Sequence, residues 1–344
     1  MLRYFFTVAA AGAILCTVTA LKPGKTDPLR YPEEKHLANV KQLTFGGNNA
    51  EAYFSFDNSA ITFQSDYAGW GNKCDQIFLF EFAEGNMKSN RPKLISTGMG
   101  RTTCAYFMPG DSEVLYASTH HYDSACPPVP APRADKKYVW PIYPSFDIFV
   151  ADRNGKVTRQ LTSTPGYDAE ATVSPKGDKI VFTSMRSGDL ELYTMNIDGS
   201  DIKQITKELG YDGGAFFSPD GEMLVFRSSR PQTEEEKNEY RALLQQGLVM
   251  PTQMELYVCN VDGTGLRKVT SLGKANWAPF FHPSGKKIIF ASNHAAPRGY
   301  QFNLYMINID GTGLEKITYD PVFDAFPMFS PDGKKIIFSS NRFN

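Results

Sequence analysis

Between Tyr167 and Thr206 apolar and polar positions fall into four short runs: Glu170 to Ser174, Lys179 to Ser184, Leu190 to Asn196 and Ile202 to Thr206. Each has strand length and is rich in β-branched or aromatic residues. Ser174-Pro175-Lys176-Gly177 separates the first two runs and Asp198-Gly199 the last two. Glycine there supplies the positive φ that a tight hairpin needs. The pattern predicts a four-stranded antiparallel meander.

The unit recurs. Its Ser-Pro turn aligns with Phe56-Asp57, Met108-Pro109, Ser218-Pro219, His282-Pro283 and Ser330-Pro331, at intervals of 44 to 66 residues. A four-stranded repeat of about 40 to 45 residues is one propeller blade. Six copies predict an all-β, six-bladed β-propeller over residues 40–344. Val40 to Thr44 matches the fourth strand of the unit yet precedes any first strand, whereas Asp324 to Ser339 supplies only a first and a second. The expected closure therefore joins the two ends of the chain in one blade, removing open sheet edges. No third strand is evident for that blade; Leu29 to His36 filling it, a three-stranded blade and a truncated chain are the options.

Two blades are expanded between their second and third strands. Blade two carries His121 to Ser145, whose prolines suit an extended surface loop. Blade four carries Pro231 to Gln253, where Thr233 and Glu236 form a capping-box pattern and Tyr240, Leu243, Leu244 and Leu248 keep helical spacing. This predicts an amphipathic helix of about four turns, a candidate docking helix.

Composition and charge narrow the class. The 344 residues are 42% hydrophobic, enough for a large core, and the net charge of −1 points to neither nucleic acid nor an anionic surface. Residues 1–20 read as a signal peptide, with Arg3, an apolar run from Tyr4 to Val18 and a Val18-Thr19-Ala20 cleavage site. The run is short for a membrane span. Residues 21–39 form an extended lead-in. Export makes a disulfide among Cys74, Cys104 and Cys126 the expectation, pairing Cys126 with Cys74 or Cys104, while Cys259 lies in an apolar strand.

The chain resembles the TolB-like β-propellers, built from WD-repeat-like units with a Ser-Pro-Asp-Gly turn, an apolar strand and Ser-x-Arg. Ser218-Pro219-Asp220-Gly221 and Ser330-Pro331-Asp332-Gly333 match fully, and Ser174-Pro175-Lys176-Gly177 and His282-Pro283-Ser284-Gly285 in part. The resemblance runs from Val40 to the C-terminus and is specific for fold. For function it implies interaction modules, peptidase-fronting domains or occasional enzymes.

The rim that bears the insertions is the candidate binding face. One column reads Ala50, Thr102, Asp168, Asp212, Asn276, Asp324; the Ser-x-Arg column reads Tyr67, His120, Arg186, Arg230, His294, Arg342. Each Asp meets an Arg, so salt bridges are the plain expectation. Arg101, Thr102, His120, Asn276, Trp277 and His294 escape that pairing and suggest a channel-mouth site, with Trp277 as an exposed stacking face. No Gly-x-Ser-x-Gly or His-Glu-x-x-His motif occurs, and the histidines do not converge, so neither cofactor nor metal is expected. The reading is an exported, periplasmic or secreted, monomeric platform for a protein or peptide of the cell envelope. The alternatives are a hydrolase or lyase using Asp168, Asp212 and Asp324 as acid/base groups on a peptide, lactone or saccharide, or the propeller part of a peptidase.

Overall fold

The computed structural model describes residues 27–342 apart from 86, 89 and 298. The signal-peptide reading of residues 1–20 lies outside the described residues. Each repeat folds as an antiparallel sheet in chain order. The first comprises β1 (Asn49–Phe54), β2 (Ala60–Ser65), β3 (Gln76–Glu81) and β4 (Lys93–Leu94). The second comprises β5 (Thr102–Phe107) and β6 (Glu113–Ser118) and, after an insertion containing β7 (Trp140–Pro141), β8 (Asp147–Asp152) and β9 (Val157–Gln160). The third is β10 (Asp168–Val173), β11 (Lys179–Ser184), β12 (Glu191–Asn196) and β13 (Lys203–Gln204). In the fourth, β14 (Asp212–Phe217) and β15 (Met223–Ser228) are followed by helix α1 (Glu234–Leu244) and β16 (Leu248–Val249), then β17 (Glu255–Asn260) and β18 (Arg267–Lys268). The fifth is β19 (Asn276–Phe281), β20 (Lys287–Ser292), β21 (Asn303–Asn308) and β22 (Glu315–Lys316), and β23 (Asp324–Phe329) and β24 (Ile336–Ser340) follow it.

The count of six is corrected: among the described residues five blades are complete, and the last repeat is a two-stranded sheet between the fifth and first. Val40 to Thr44 forms no strand. The reason is local. Every fourth strand pairs with a third, as β13 does with β12, and no third strand follows β24 among the described residues. Leu43 packs on the core instead. The lead-in docks beside β24 through turns. Glu34, fully buried, receives Arg342 at 3.1 Å, and Tyr31 donates to Asp320 at 3.0 Å.

The threonine that closes each fourth-strand motif has a physical task. Thr162, Thr206, Thr270 and Thr318 accept, at 2.8–2.9 Å, the N–H of Ile148, Leu192, Leu256 and Leu304 respectively, each the second residue of its third strand. Between the sheets, side chains such as Phe63, Phe78, Phe182, Phe226, Phe281 and Phe290 are fully buried, each stabilising the fold by about 1.5–3 kcal/mol. In blade one, Ser55 closes the turn by accepting Ala60 N–H, the role Ser218 plays for Met223. The turn alignment at Phe56 is thus one residue late, and Asn49, rather than Ala50, pairs with Ser65 as Asp168 pairs with Ser184.

Candidate functional site

The rim columns resolve into local pairs. Arg186 donates to both oxygens of Asp168 at 3.0 and 2.9 Å, Arg230 to both of Asp212 at 2.5 and 2.8 Å, and Arg342 to Asp324 at 3.0 Å. Each pair lies within a single repeat. The carboxylates have almost no exposed surface, and burial raises each above its usual range despite the arginine, Asp324 to about 6. In the blades without Asp, neighbouring groups of the same kind fill the positions. Asn276 accepts from Ser292 at 2.7 Å and donates to Met254 O at 2.8 Å. His294 and His120 hydrogen-bond Ser292 and Ser118 at 2.9 and 2.8 Å, and burial lowers both imidazoles. Thr102 donates to Asp75 O at 3.0 Å, and Arg101 pairs with the Asp75 carboxylate.

A different column faces the propeller axis. The third residue of every innermost strand, Glu51, Cys104, Glu170, Gly214, Ala278 and Phe326, has φ between +47° and +58° and sits at a break in strand register. Six β-bulges thus recur at one level, five at non-glycine residues, where left-handed backbone costs about 1–2 kcal/mol. All six residues line one axial cavity of about 520 Å³, within the range of small-molecule sites. Deeper along the strands, Tyr53 and Phe216 line it and pack against Tyr106 and Phe280, with neighbouring ring centroids 5.1–6.3 Å apart.

Its charged centre is Glu170 with Arg227. Arg227 Nη2 donates to Glu170 at 2.5 Å and to Tyr211 Oη at 2.6 Å; Tyr211, Thr183 and the Gly214 N–H also donate to Glu170, at 2.5–2.8 Å. Burial pushes the Glu170 carboxyl up, but Arg227 and these donors outweigh it and hold the carboxyl below its ordinary value. Arg227 reaches the axis across glycines: a Cβ on Gly214 would lie 1.9 Å from its Nη1, and one on Gly213 would lie 2.3 Å from Glu170. Burial likewise raises Glu51 to about 7, against the opposing effect of the neighbouring Cys104 thiol, the Arg227 charge and the Tyr53 hydroxyl. Its Oε2 meets no partner among the described residues.

The roof comes from the two insertions. Strands β7 and β16 pair antiparallel, Trp140 with Val249 and Pro141 with Leu248, and Ile142 N–H donates to Gly247 O at 2.7 Å. The Arg227 guanidinium lies 5.4 Å from the Trp140 ring. Lys137 of one insertion pairs with Glu239 of the other. A Cys74–Cys126 disulfide anchors the start of the blade-two insertion, settling the pairing between the two candidates; Cys104 is a free, buried thiol on the cavity wall.

Two sequence expectations change. Trp277 is no exposed stacking face: it is 7% exposed, stacks on Phe302 at 4.3 Å and donates its indole N–H to Pro251 O at 2.8 Å, presenting only part of its ring to the cavity. Helix α1 has the capping box but ends at Leu244, so Leu248 belongs to β16. Tyr240 and Leu243 are buried against the chain itself, Tyr240 bonding to Asp189, while Leu244 packs half-buried beside them. Of the proposed mouth residues, Arg101, Thr102 and Trp277 line the cavity; His120, Asp168, Arg186, Asp212, Arg230, Asn276, His294, Asp324 and Arg342 do not. Glu51, Glu170 and Arg227 were missed. The available signal was Gly213-Gly214 inside a strand pattern, which marks a bulge or close approach.

Bulged inner strands, a roofed axial cavity and a ring of blades define a β-propeller with a covered central pocket. The TolB beta propeller domain matches residues 143–226 and 249–343, more than half the chain, and the protein belongs to that family. The structure resembles the putative TolB from Agrobacterium tumefaciens, with a TM-score of 0.59 and 20% identity over 86% of this chain and 91% of that one. It also resembles TolB from Acinetobacter baumannii, with a TM-score of 0.51 and 19% identity over 84% of this chain but 57% of that one, little more than half its length. A third likeness is to oligogalacturonate lyase from Vibrio parahaemolyticus, with a TM-score of 0.52 and 11% identity over 86% and 74% of the two chains. At these identities the likeness is one of fold.

Proposed function

We propose that this protein is an exported, non-catalytic propeller that docks a protein or peptide partner in the cell envelope on its insertion-bearing rim. One observation carries the reading. Of the ten large hydrophobic side chains most exposed among the described residues, only Ile202 and Leu314 lie by the hairpins of the opposite rim. The other eight, including Met99, Tyr122, Val129 and Tyr138, lie in segments of the insertion-bearing rim. Apolar surface gathered on one face marks an interaction site. Membership of the TolB propeller family supports a protein-binding role, and the disulfide supports an oxidising compartment such as the periplasm. No helix among the described residues is long and apolar enough to cross a membrane. The alternative of a hydrolase or lyase draws only on fold, since Asp168, Asp212 and Asp324 are clamped by arginines away from the cavity.

Tyr122 and Val129 are 83% and 72% exposed and take no part in the core. Their joint replacement by serine tests the reading. A tagged mature chain should retain a defined envelope partner on purification, and the variant should lose it while melting at the same temperature. Equal capture by both would remove this rim from consideration.

A further inference from the structure

The axial cavity is one positive charge short. Three carboxyl groups line it, those of Glu51, Asp75 and Glu170, against two guanidinium groups, those of Arg101 and Arg227. Asp75 is paired with Arg101 and Glu170 with Arg227. Glu51 is left over. The bulge of β1 turns it toward the axis, where its Oε2 has neither solvent contact nor a hydrogen-bond partner among the described residues. The groups facing it are the Cys104 thiol, the Tyr53 hydroxyl, and the Glu170 and Arg227 charges; Arg227 pairs with Glu170 through Nη2 and acts on Glu51 only through its charge. A carboxylate with one oxygen cut off from both solvent and donors, on the wall of a cavity of about 520 Å³, is costly unless a cation or a proton completes it.

The walls show what kind of cation fits. Six aromatic residues, Trp140, Tyr143, Phe146, Tyr167, Trp277 and Phe326, are among those that line the cavity. Aromatic faces attract a cation and also bury carbon, whereas a hydrated inorganic ion needs a shell of oxygen donors. Gln64 is the nearby amide, and its Oε1 already accepts from Thr103 at 3.0 Å and from the Cys104 N–H at 3.2 Å.

We propose that the axial cavity binds an organic ammonium group, its nitrogen against Glu51 and its carbon body against the aromatic walls. The source is either a free small amine or the amine of a polypeptide lysine. This inference goes beyond rim docking and stands or falls separately from it: partner capture can fail while the cavity still takes an amine, and the reverse.

The test is a calorimetric titration of the folded mature chain at about pH 8, where Glu51 is ionised. The probes are 2-phenylethylammonium, the neutral 2-phenylethanol, a blocked lysine pentapeptide with its acetyl-lysine counterpart, and potassium chloride. Saturable binding of one amine probe, at least about tenfold tighter than its neutral counterpart, is expected. Whether the small amine or the peptide binds identifies the source. Binding should weaken as pH falls through about 7, and Glu51→Gln should lose roughly the same factor. Equal binding of charged and neutral probes, no binding of either amine, or the same response to potassium would overturn the proposal. The comparison of charged with neutral probes on the unaltered chain stands even if Glu51→Gln folds poorly.

Discussion

Gly214→Ala places a methyl carbon 1.9 Å from Nη1 and 3.1 Å from Cζ of Arg227, at a residue whose φ is +58°. Two costs follow. Left-handed backbone on a residue with a Cβ costs about 1–2 kcal/mol. The larger cost comes from Arg227, whose guanidinium must leave Glu170. The two side chains are each 9% exposed and in contact at 2.5 Å, and breaking a buried pair by withdrawing one partner costs about 3–5 kcal/mol. The expected loss is therefore about 4–7 kcal/mol, a large part of the about 5–15 kcal/mol that holds a typical domain. Urea unfolding followed by tryptophan fluorescence reads it, helped by Trp140, which lies over Arg227. The control is the same substitution in an Arg227→Met/Glu170→Gln chain, where only the backbone cost of about 1–2 kcal/mol should remain. Equal losses in the two backgrounds, or a loss below about 2 kcal/mol in the unaltered one, would refute the account of why this strand carries paired glycines.

Trp277→Ala should lower stability by about 3–5 kcal/mol, because the indole is buried, stacked on Phe302 and hydrogen-bonded to Pro251. Calorimetric melting checks this, and an unchanged transition would mean that the ring is not part of the packed roof. Glu51 makes stability depend on pH: its folded value, about 7, lies above the ordinary 4.5, so its contribution is fully present below pH 4.5 and is lost as pH rises through about 7. Glu51→Gln should remove that decline and leave the ligand-free chain more stable by up to about 3 kcal/mol at alkaline pH, read from urea midpoints on either side of neutrality; parallel pH profiles for the two chains would count against a buried, unpaired carboxyl.

Much of the frame was legible because it depends on short spacings. The closing threonines were visible as a motif, and the structure shows why four of them recur: each caps the third strand of its own blade. The Asp–Arg pairs were legible for the same reason, each spanning 18 residues along one hairpin. Thr44 carried the same motif without the same outcome, since a fourth strand needs a third strand to pair with. The cavity was far less legible. Strict alternation along an inner strand sends successive side chains to opposite faces, and a bulge breaks that rule at the very residues, Glu51 and Glu170, that turn toward the axis.

The repeat, most of its hairpin turns, the places of both insertions and the Asp–Arg rim pairs could be read from the chain alone, all being properties of segments shorter than one blade. Only the tertiary structure decided which long-range partners meet: Glu170 with Arg227 across 57 residues, Cys74 rather than Cys104 with Cys126, and β7 with β16 as a roof. The physical reason is that the ring brings different blades to one axis. What lies there depends on bulges, glycine clearances and burial across the whole circle, none of which a local pattern encodes.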